Sequence, residues 1–333
     1  MGMPDCDTTE TLVKKALGHA GGSCSFMFQG GEPTLAGLDY FRNFVALEKK
    51  YSRAGLKIYN SIQTNGMLID DEWAEFLSEN GFLTGLSLDG NAELNDMNRV
   101  FPDGAGTFNK VIKAAKTLEK HSAPFNVLCV VTAQSARKAE KLYNFFKNSG
   151  FRYIQFIPCL EPLSSQRGEA AYALTPEAYG NFLIRIFDLW QADIKTANAV
   201  SVRYFDNLIN MLRGGMPEAC GMAGRCCIQY VVEGDGTVYP CDFYALDGRE
   251  LGNIKTDTFG DMAASQNAKR FIEESLNVPD ECKKCKWYTL CRNGCKRDRL
   301  YTDGGYGINY YCRAYRMFFD KRISDLVKIA RSF

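Results

Sequence analysis

Nine of the chain's thirteen cysteines fall between Cys220 and Cys312, spaced C-x5-C-C-x13-C, then C-x2-C-x5-C-x3-C, then Cys312. A thiolate is a soft anionic ligand, and four around one centre suit zinc or an iron-sulfur cluster far better than a hard cation. Eight such ligands make two sites. Lys283, Lys284, Lys286, Arg292, Lys296, Arg297 and Arg299 are woven among them, and nearby cations offset the net negative charge that four thiolates leave on such a centre. The competing interpretation is a solvated basic face beside disulfide-laced loops. Disulfide frameworks belong to small secreted chains, however, and a chain of 333 residues is not one. Spacing alone leaves zinc and iron-sulfur both open.

The first half of the chain must position whatever these sites serve. An N-cap at Asp7-Thr-Thr-Glu10 predicts a first helix. The apolar run Ser23–Phe28 then predicts a buried strand that ends on Gly30-Gly31. Helix and strand alternate from there: helix 38–51, strand 57–63, helix 71–80, strand 82–88, helix 107–121, strand 125–131, helix 136–149 and strand 153–158. Strands separated by ten or more helical residues mean βαβ units and a parallel sheet. In such α/β folds function sits at the carboxyl ends of the strands. There the sequence places Gln29-Gly-Gly-Glu-Pro-Thr34, Gln63-Thr-Asn-Gly66, Ser87-Leu-Asp-Gly90 with Asn98-Arg99, and Cys159-Leu-Glu-Pro162. Paired glycines admit a ligand close to the backbone, Glu32 offers a carboxylate to an amine, and Arg99 can fork onto a carboxylate. Each motif alone is ordinary turn chemistry. In succession they describe a cleft for an amino acid.

Past residue 160 the chain predicts a polar linker over 163–168 and a helix opening at Thr175-Pro-Glu. That helix carries Tyr179, Phe182, Leu183, Ile186, Phe187 and Trp190 at helical spacing, an aromatic stripe that reads as core. A second helix over 204–213 follows. The Asp235-Gly236 turn closes a hairpin of 228–233 with 237–240, which sets Cys241 and Asp242 at a strand end. An amphipathic helix over 315–329 ends the chain.

Three stretches, Cys24-Ser-Phe-Met-Phe-Gln-Gly-Gly-Glu-Pro-Thr-Leu-Ala-Gly37, Arg203-Tyr-Phe-Asp206 and Val238-Tyr-Pro-Cys-Asp-Phe-Tyr244, together with the cysteine pattern, resemble the radical S-adenosylmethionine enzymes that carry a SPASM domain. The nearer resemblance is to the anaerobic sulfatase-maturating enzymes, which convert a Cys or Ser of a sulfatase into formylglycine. It implies a (β/α)6 barrel and a cysteine-rich domain with a β-hairpin and helices, divided as 1–162 partial barrel, 163–219 helical linker, 220–312 SPASM domain and 313–333 terminal helix. It implies S-adenosylmethionine contacts at Gly30, Gly31, Glu32, Ser87, Arg99 and Leu160, and a substrate-peptide contact at Gln29. One auxiliary [4Fe-4S] cluster is expected on Cys220, Cys226, Cys241 and Cys295, and a second on Cys282, Cys285, Cys291 and Cys312. Asp242 matches the base that takes the proton of the substrate side chain. After a hydrogen leaves the substrate β-carbon, loss of the thiol or hydroxyl proton and one electron gives the thioaldehyde or aldehyde, and a carboxylate beside an electron acceptor couples those losses. The alternative for Asp242 is a turn carboxylate without catalytic duty.

One family feature has no counterpart among these residues. The family opens with a strand and a C-x3-C-x2-C loop whose cluster leaves an iron open to S-adenosylmethionine, and Met1-Gly2-Met3 lines up just beyond that loop. Cys6, Cys24, Cys129 and Cys159 are too far apart to replace it. The expectation is therefore a chain that starts one βα element late, lacks the first barrel strand and its pairing edge, and is inactive as written while retaining auxiliary clusters. Cys6 is expected to be an incidental thiol, and Cys24, Cys129 and Cys159 small buried hydrophobes.

The composition is that of an ordinary globular protein, 46% apolar and 24% charged with a formal net charge of +1, which argues against a large nucleic-acid surface. No leader pattern or membrane span is evident, so a cytoplasmic location and reduced thiols are expected. The partners implied are a sulfatase polypeptide and an electron donor such as flavodoxin or ferredoxin, with neither nucleic acid nor membrane. Two rivals stand beside this assignment: another SPASM peptide maturase that forms thioether links, and a non-catalytic iron-sulfur or zinc protein.

Overall fold

The computed structural model describes the chain except residues 1, 164, 165, 195, 197, 198, 303, 304 and 333. Two positions of the linker expected at 163–168 thus lie outside the described residues. Six strands, β1 (Ser23–Phe28), β2 (Lys57–Thr64), β3 (Leu83–Ser87), β4 (Phe125–Val131), β5 (Tyr153–Pro158) and β6 (Ser201–Val202), make one sheet in the order β1-β2-β3-β4-β5-β6. β1 pairs with β2, β4 with β5 and β5 with β6, all in parallel. The two-residue β6 is too short to announce itself by alternation, and the sequence reading missed it.

The chain divides into two compact units. The first comprises 1–84, 116–124 and 226–276; the second comprises 85–115, 125–225 and 277–333.

In the first unit, helices Cys6–His19 and Leu38–Tyr51 bury Val13, Leu17, Phe44 and Leu47 against Phe26 of β1. Asp5, not Asp7, caps the first helix: its carboxylate accepts from Thr8 N at 2.7 Å. Both aspartates have a residue three positions on to cap. Only Asp5 has the extended backbone that a cap requires, and Asp7 falls in the first turn. Phe28 packs edge-on to Phe41 and Phe44, and each buried ring contributes roughly 1.5–3 kcal/mol. The same unit holds a small antiparallel sheet of β7 (Val231–Val232), β8 (Thr237–Tyr239) and β9 (Gly252–Asn253) over a core of Val238, Leu251, Ile254, Phe259 and Met262. This is the expected hairpin with shorter strands and a third strand added.

In the second unit, helix Pro176–Asp193 starts from the Thr175 cap and buries Tyr179, Phe182, Phe187 and Trp190. The aromatic stripe is core, as its spacing implies. Helix Cys312–Arg331 lies against it at Gly180, where a Cβ would sit 3.1 Å from the Ala314 Cα. That helix begins three residues before the predicted start, so Cys312 occupies its first turn. The hairpin of β10 (Arg299–Thr302) and β11 (Gly305–Asn309) was not foreseen. Among the described residues no helix is long and apolar enough to cross a membrane.

Candidate active site and cluster ligands

At the end of β1, Gly30 and Gly31 adopt φ of +87° and +53°, a left-handed pair that side chains resist. The turn leaves open space where their Cβ atoms would stand. Glu32 is committed more heavily than its sequence position suggests. Its Oε1 accepts from Thr34 N (3.1 Å), Thr34 Oγ1 (2.6 Å) and Thr64 Oγ1 (2.7 Å), and its Oε2 accepts from Asn65 N at 2.7 Å. The carboxylate therefore ties the end of β1 to the end of β2. Since a carboxylate has about four acceptor sites, an amine is left chiefly the Gly30-Gly31 backbone and the unshared side of Oε2.

In the second unit, Ser87 ends β3 and Leu160 follows β5, both half-buried. Arg99 already forks onto a carboxylate, that of Asp89, through Nε at 2.7 Å and Nη2 at 3.3 Å. Asp89 also accepts from Val130 N at 2.7 Å, which fixes it to β4. The opposite edge of the guanidinium, at Nη1, is not used by Asp89. The pairing was not legible in the sequence, although Asp89 lies in the quoted Ser87–Gly90 turn.

The first unit joins two predicted site residues. Gln29 Nε2 donates to Asp242 Oδ2 at 3.1 Å, while Asp242 Oδ1 accepts from Phe243 N (2.9 Å) and from the Cys241 thiol (3.0 Å). Asp242 opens a short 3-10 turn for which Cys241 is the cap residue. The carboxylate is exposed, and each of its oxygens faces a named group. One side looks to a cysteine expected to hold a cluster, the other to a side chain expected to touch a peptide.

Cys282, Cys285, Cys291 and Cys312 line one cavity of the second unit with Trp287, Tyr288 and Arg316, offering ≈ 50 Å³ to water-sized spheres. One water needs roughly 10–15 Å³ by that measure, so the space suits a multi-atom group. Among the described residues no three donors converge as a ready-made single-ion site, and a cluster asks for wider thiol spacing than one zinc does. Burial above all, then neighbouring cysteines, pushes the Cys291 thiol up to about 12. Burial likewise raises Cys282, with Cys312 and Cys285 adding and Arg299 opposing, and it raises Cys312. Cys282, Cys291 and Cys312, as desolvated thiols, are poor anions alone and good ligands once a cationic core takes their charge. The donor set fits an iron-sulfur cluster.

Of the other predicted set, Cys226 and Cys241 belong to the first unit, and Cys220 and Cys295 to the second. Within the second, a Cβ on Gly221 would lie 3.4 Å from the Cys295 Cβ, so Cys220 and Cys295 sit on backbone stretches in close approach. Cys129 and Cys159 are buried, Cys24 is half-buried, and Cys6 and Cys227 are exposed.

Comparison with known proteins matches these features. The radical SAM superfamily model covers residues 4–146, and the SPASM model, an iron-sulfur cluster-binding domain, covers residues 220–286. Fold and cysteine pattern together define a radical S-adenosylmethionine protein with an iron-sulfur domain. The cysteine-type anaerobic sulfatase-maturating enzyme of Clostridium perfringens (strain 13 / Type A) is 47% identical over 98% of this chain and 88% of its own length. The serine-type enzyme of Bacteroides thetaiotaomicron is 35% identical over 88% of this chain and 74% of its own. The solved structure of native anSMEcpe with bound AdoMet and Kp18Cys peptide superposes with a TM-score of 0.97 at 46% identity, covering 100% of this chain and 92% of that one. The chain belongs to the anaerobic sulfatase-maturating enzymes. It is thus a radical S-adenosylmethionine enzyme, and its domains imply S-adenosylmethionine and iron-sulfur binding.

Proposed function

We propose that the chain oxidises a cysteine of a sulfatase polypeptide to formylglycine, with Asp242 as the base and Gln29 as the group that orients base and peptide. The observation that carries this is the Gln29–Asp242 hydrogen bond beside Cys241. The higher identity to cysteine-type than to serine-type relatives supports Cys as the substrate residue. Gly30, Gly31, Glu32, Ser87, Arg99 and Leu160 would hold S-adenosylmethionine: the glycine turn at its amino end, Arg99 at its carboxylate through the edge that Asp89 leaves. Cys220, Cys226, Cys241 and Cys295 would bind one auxiliary [4Fe-4S] cluster, and Cys282, Cys285, Cys291 and Cys312 another.

When bound, these groups supply an oxidant for the substrate β-hydrogen and an acceptor for the remaining electron. The C-x3-C-x2-C ligands of the centre that cleaves S-adenosylmethionine are not among the 333 residues. What this chain's own residues contribute is the proton step. Asp242 Oδ2 receives the substrate thiol proton, and the Gln29 amide holds that oxygen in place. A carboxylate is a far weaker base than a thiolate, so the transfer is productive only when coupled to electron loss. Water then replaces sulfur at the thioaldehyde and releases hydrogen sulfide. A flavodoxin- or ferredoxin-like donor and a cytoplasmic setting complete the proposal.

The test is mass spectrometry of a sulfatase-motif peptide after anaerobic incubation with S-adenosylmethionine, reductant and a chain bearing the three-cysteine loop ahead of Met1. Exchange of the cysteine sulfur for oxygen with loss of two hydrogens is expected. An unmodified peptide overturns the proposal, and conversion of a Ser peptide in preference to a Cys peptide overturns the choice of substrate residue.

A further inference from the structure

Directly after Cys295 come four charged residues, Lys296-Arg-Asp-Arg299, and three of them are almost wholly buried: Lys296 at 1%, Arg297 at 8% and Arg299 at 5% exposure. Long cationic side chains reach such burial only where the interior has work for them. Arg297 donates to the Glu161 carbonyl, and Asp298 pairs with Arg167 at 3.0 Å. Arg299 does something different. Its Nε donates to Asn293 O at 3.1 Å, and its Nη2 donates to Gly294 O at 3.1 Å and to Gly224 O at 3.0 Å.

Those three carbonyls come from two turns, each flanked by cysteines: Gly224 lies between Cys220 and Cys226, and Asn293-Gly294 between Cys291 and Cys295. The second turn is unusual. Arg292, Asn293 and Gly294 take φ of +50°, +62° and +57°, a left-handed run that Asn and Gly tolerate but that is uncommon for Arg. The two turns also touch where no side chain fits. A Cβ on Gly224 would meet Arg292 Cβ and Arg292 O at 2.5 Å, and on the other side of the second turn one on Gly294 would meet Asn309 Nδ2 of β11 at 2.5 Å. Buried Asn293 completes the arrangement: its Oδ1 accepts from Asn309 N at 2.8 Å and from the Cys282 thiol at 3.6 Å.

We infer that Arg299 is a positioning residue for the cluster ligands. Its guanidinium clips the Gly224 turn to the left-handed 292–294 turn, so that Cys291 is held in the cavity of Cys282, Cys285 and Cys312 and Cys295 is held beside the 220–221 backbone, and it keeps a fixed positive charge near the Cys282 ligand. The inference rests on the cluster assignment proposed above. The planar fork reaches these carbonyls from two nitrogens fixed in one plane, Nε to Asn293 O and Nη2 to Gly294 O and Gly224 O, a placement that the single nitrogen of an ammonium group does not reproduce.

Iron and acid-labile sulfide per chain, the electron paramagnetic resonance spectrum of the reduced protein and its midpoint potentials, measured on the anaerobically reconstituted full chain, test this. The unmodified chain tests the cluster assignment itself: zinc, or no iron, overturns that assignment whatever the variants do. If it carries iron, Arg299→Met is expected to lose about half of that iron or more and to shift what remains to lower potential, since a positive charge has gone. Arg299→Lys, which keeps the charge and is expected to keep the fold by circular dichroism, is expected to lose iron as well and to show altered resonances. Arg299→Lys with the iron content, resonances and potentials of the unmodified chain overturns the inference, and it decides the matter even if Arg299→Met fails to fold.

Discussion

Gln29, one residue beyond β1, donates its side-chain amide to Asp242, one residue beyond Cys241, at 3.1 Å across 213 positions of sequence. The bond joins a residue expected to meet the peptide to a residue expected to take its proton. It also fixes which carboxylate oxygen faces which partner, because Oδ1 is engaged by Phe243 N and the Cys241 thiol.

Gln29→Ala should therefore leave Asp242 present but unaimed. Turnover of a Cys peptide is expected to fall by roughly 10–100-fold, less than loss of the base itself, while cluster iron stays unchanged. Steady-state kinetics beside an iron assay check this. A drop confined to peptide affinity would make Gln29 a binding contact only.

Glu32→Gln places an amide among four donors, two of them backbone N–H groups and two threonine hydroxyls. Stability should fall by about 1–3 kcal/mol, and calorimetry should show weaker S-adenosylmethionine binding because the Gly30-Gly31 turn loosens with it. Unchanged thermal stability would show that the tie between β1 and β2 is dispensable.

Serine at Cys285 or Cys291 should remove one auxiliary cluster and leave the other, taking away close to half of the iron those two sets hold. Serine at Cys6 or Cys227, both exposed, should remove none. Equal losses from both pairs would contradict the assignment of ligands.

The pH dependence of the metal-free chain follows from the same thiols. Cys291 rises from 9.0 to about 12 on folding, and Cys282 and Cys312 rise in the same sense. A raised thiol value means that folded and unfolded states bind protons equally below about pH 9; above it the unfolded state releases protons first. Stability should thus be flat up to about pH 9 and then decline by as much as ~1.4 kcal/mol per pH unit for each such thiol. Thermal melts over this range check it, and iron-loaded protein, whose ligands are already deprotonated, should lack the slope.

Much of this was legible in the sequence because periodicity and spacing report local physics. The apolar run before Gly30-Gly31 and the helix–strand alternation give the sheet, the cysteine spacing gives ligands for two sites, and the family resemblance groups Cys282, Cys285, Cys291 and Cys312 as a set that does share one cavity. What stayed hidden depends on partners distant in the chain. Glu32 looks like a free carboxylate until Thr64 and Asn65 arrive from β2. Arg99 looks like a ligand fork until Asp89 occupies one edge. β6 is two residues long, below any periodic signal, and although Asn293-Gly294 is a left-handed turn signal, nothing there announces that Arg292 joins it or that a buried arginine holds the turn.

The measurement that bears most directly on the account is Asp242→Asn in a chain able to form its radical centre, assayed for formylglycine by mass spectrometry with iron content and reduced-cluster resonances followed alongside. An amide keeps the shape of the side chain but cannot take up the thiol proton. Formylglycine formation is expected to drop by about 10²–10⁴-fold with iron and resonances unchanged. Turnover equal to that of the unmodified chain, at equal iron, would contradict the account.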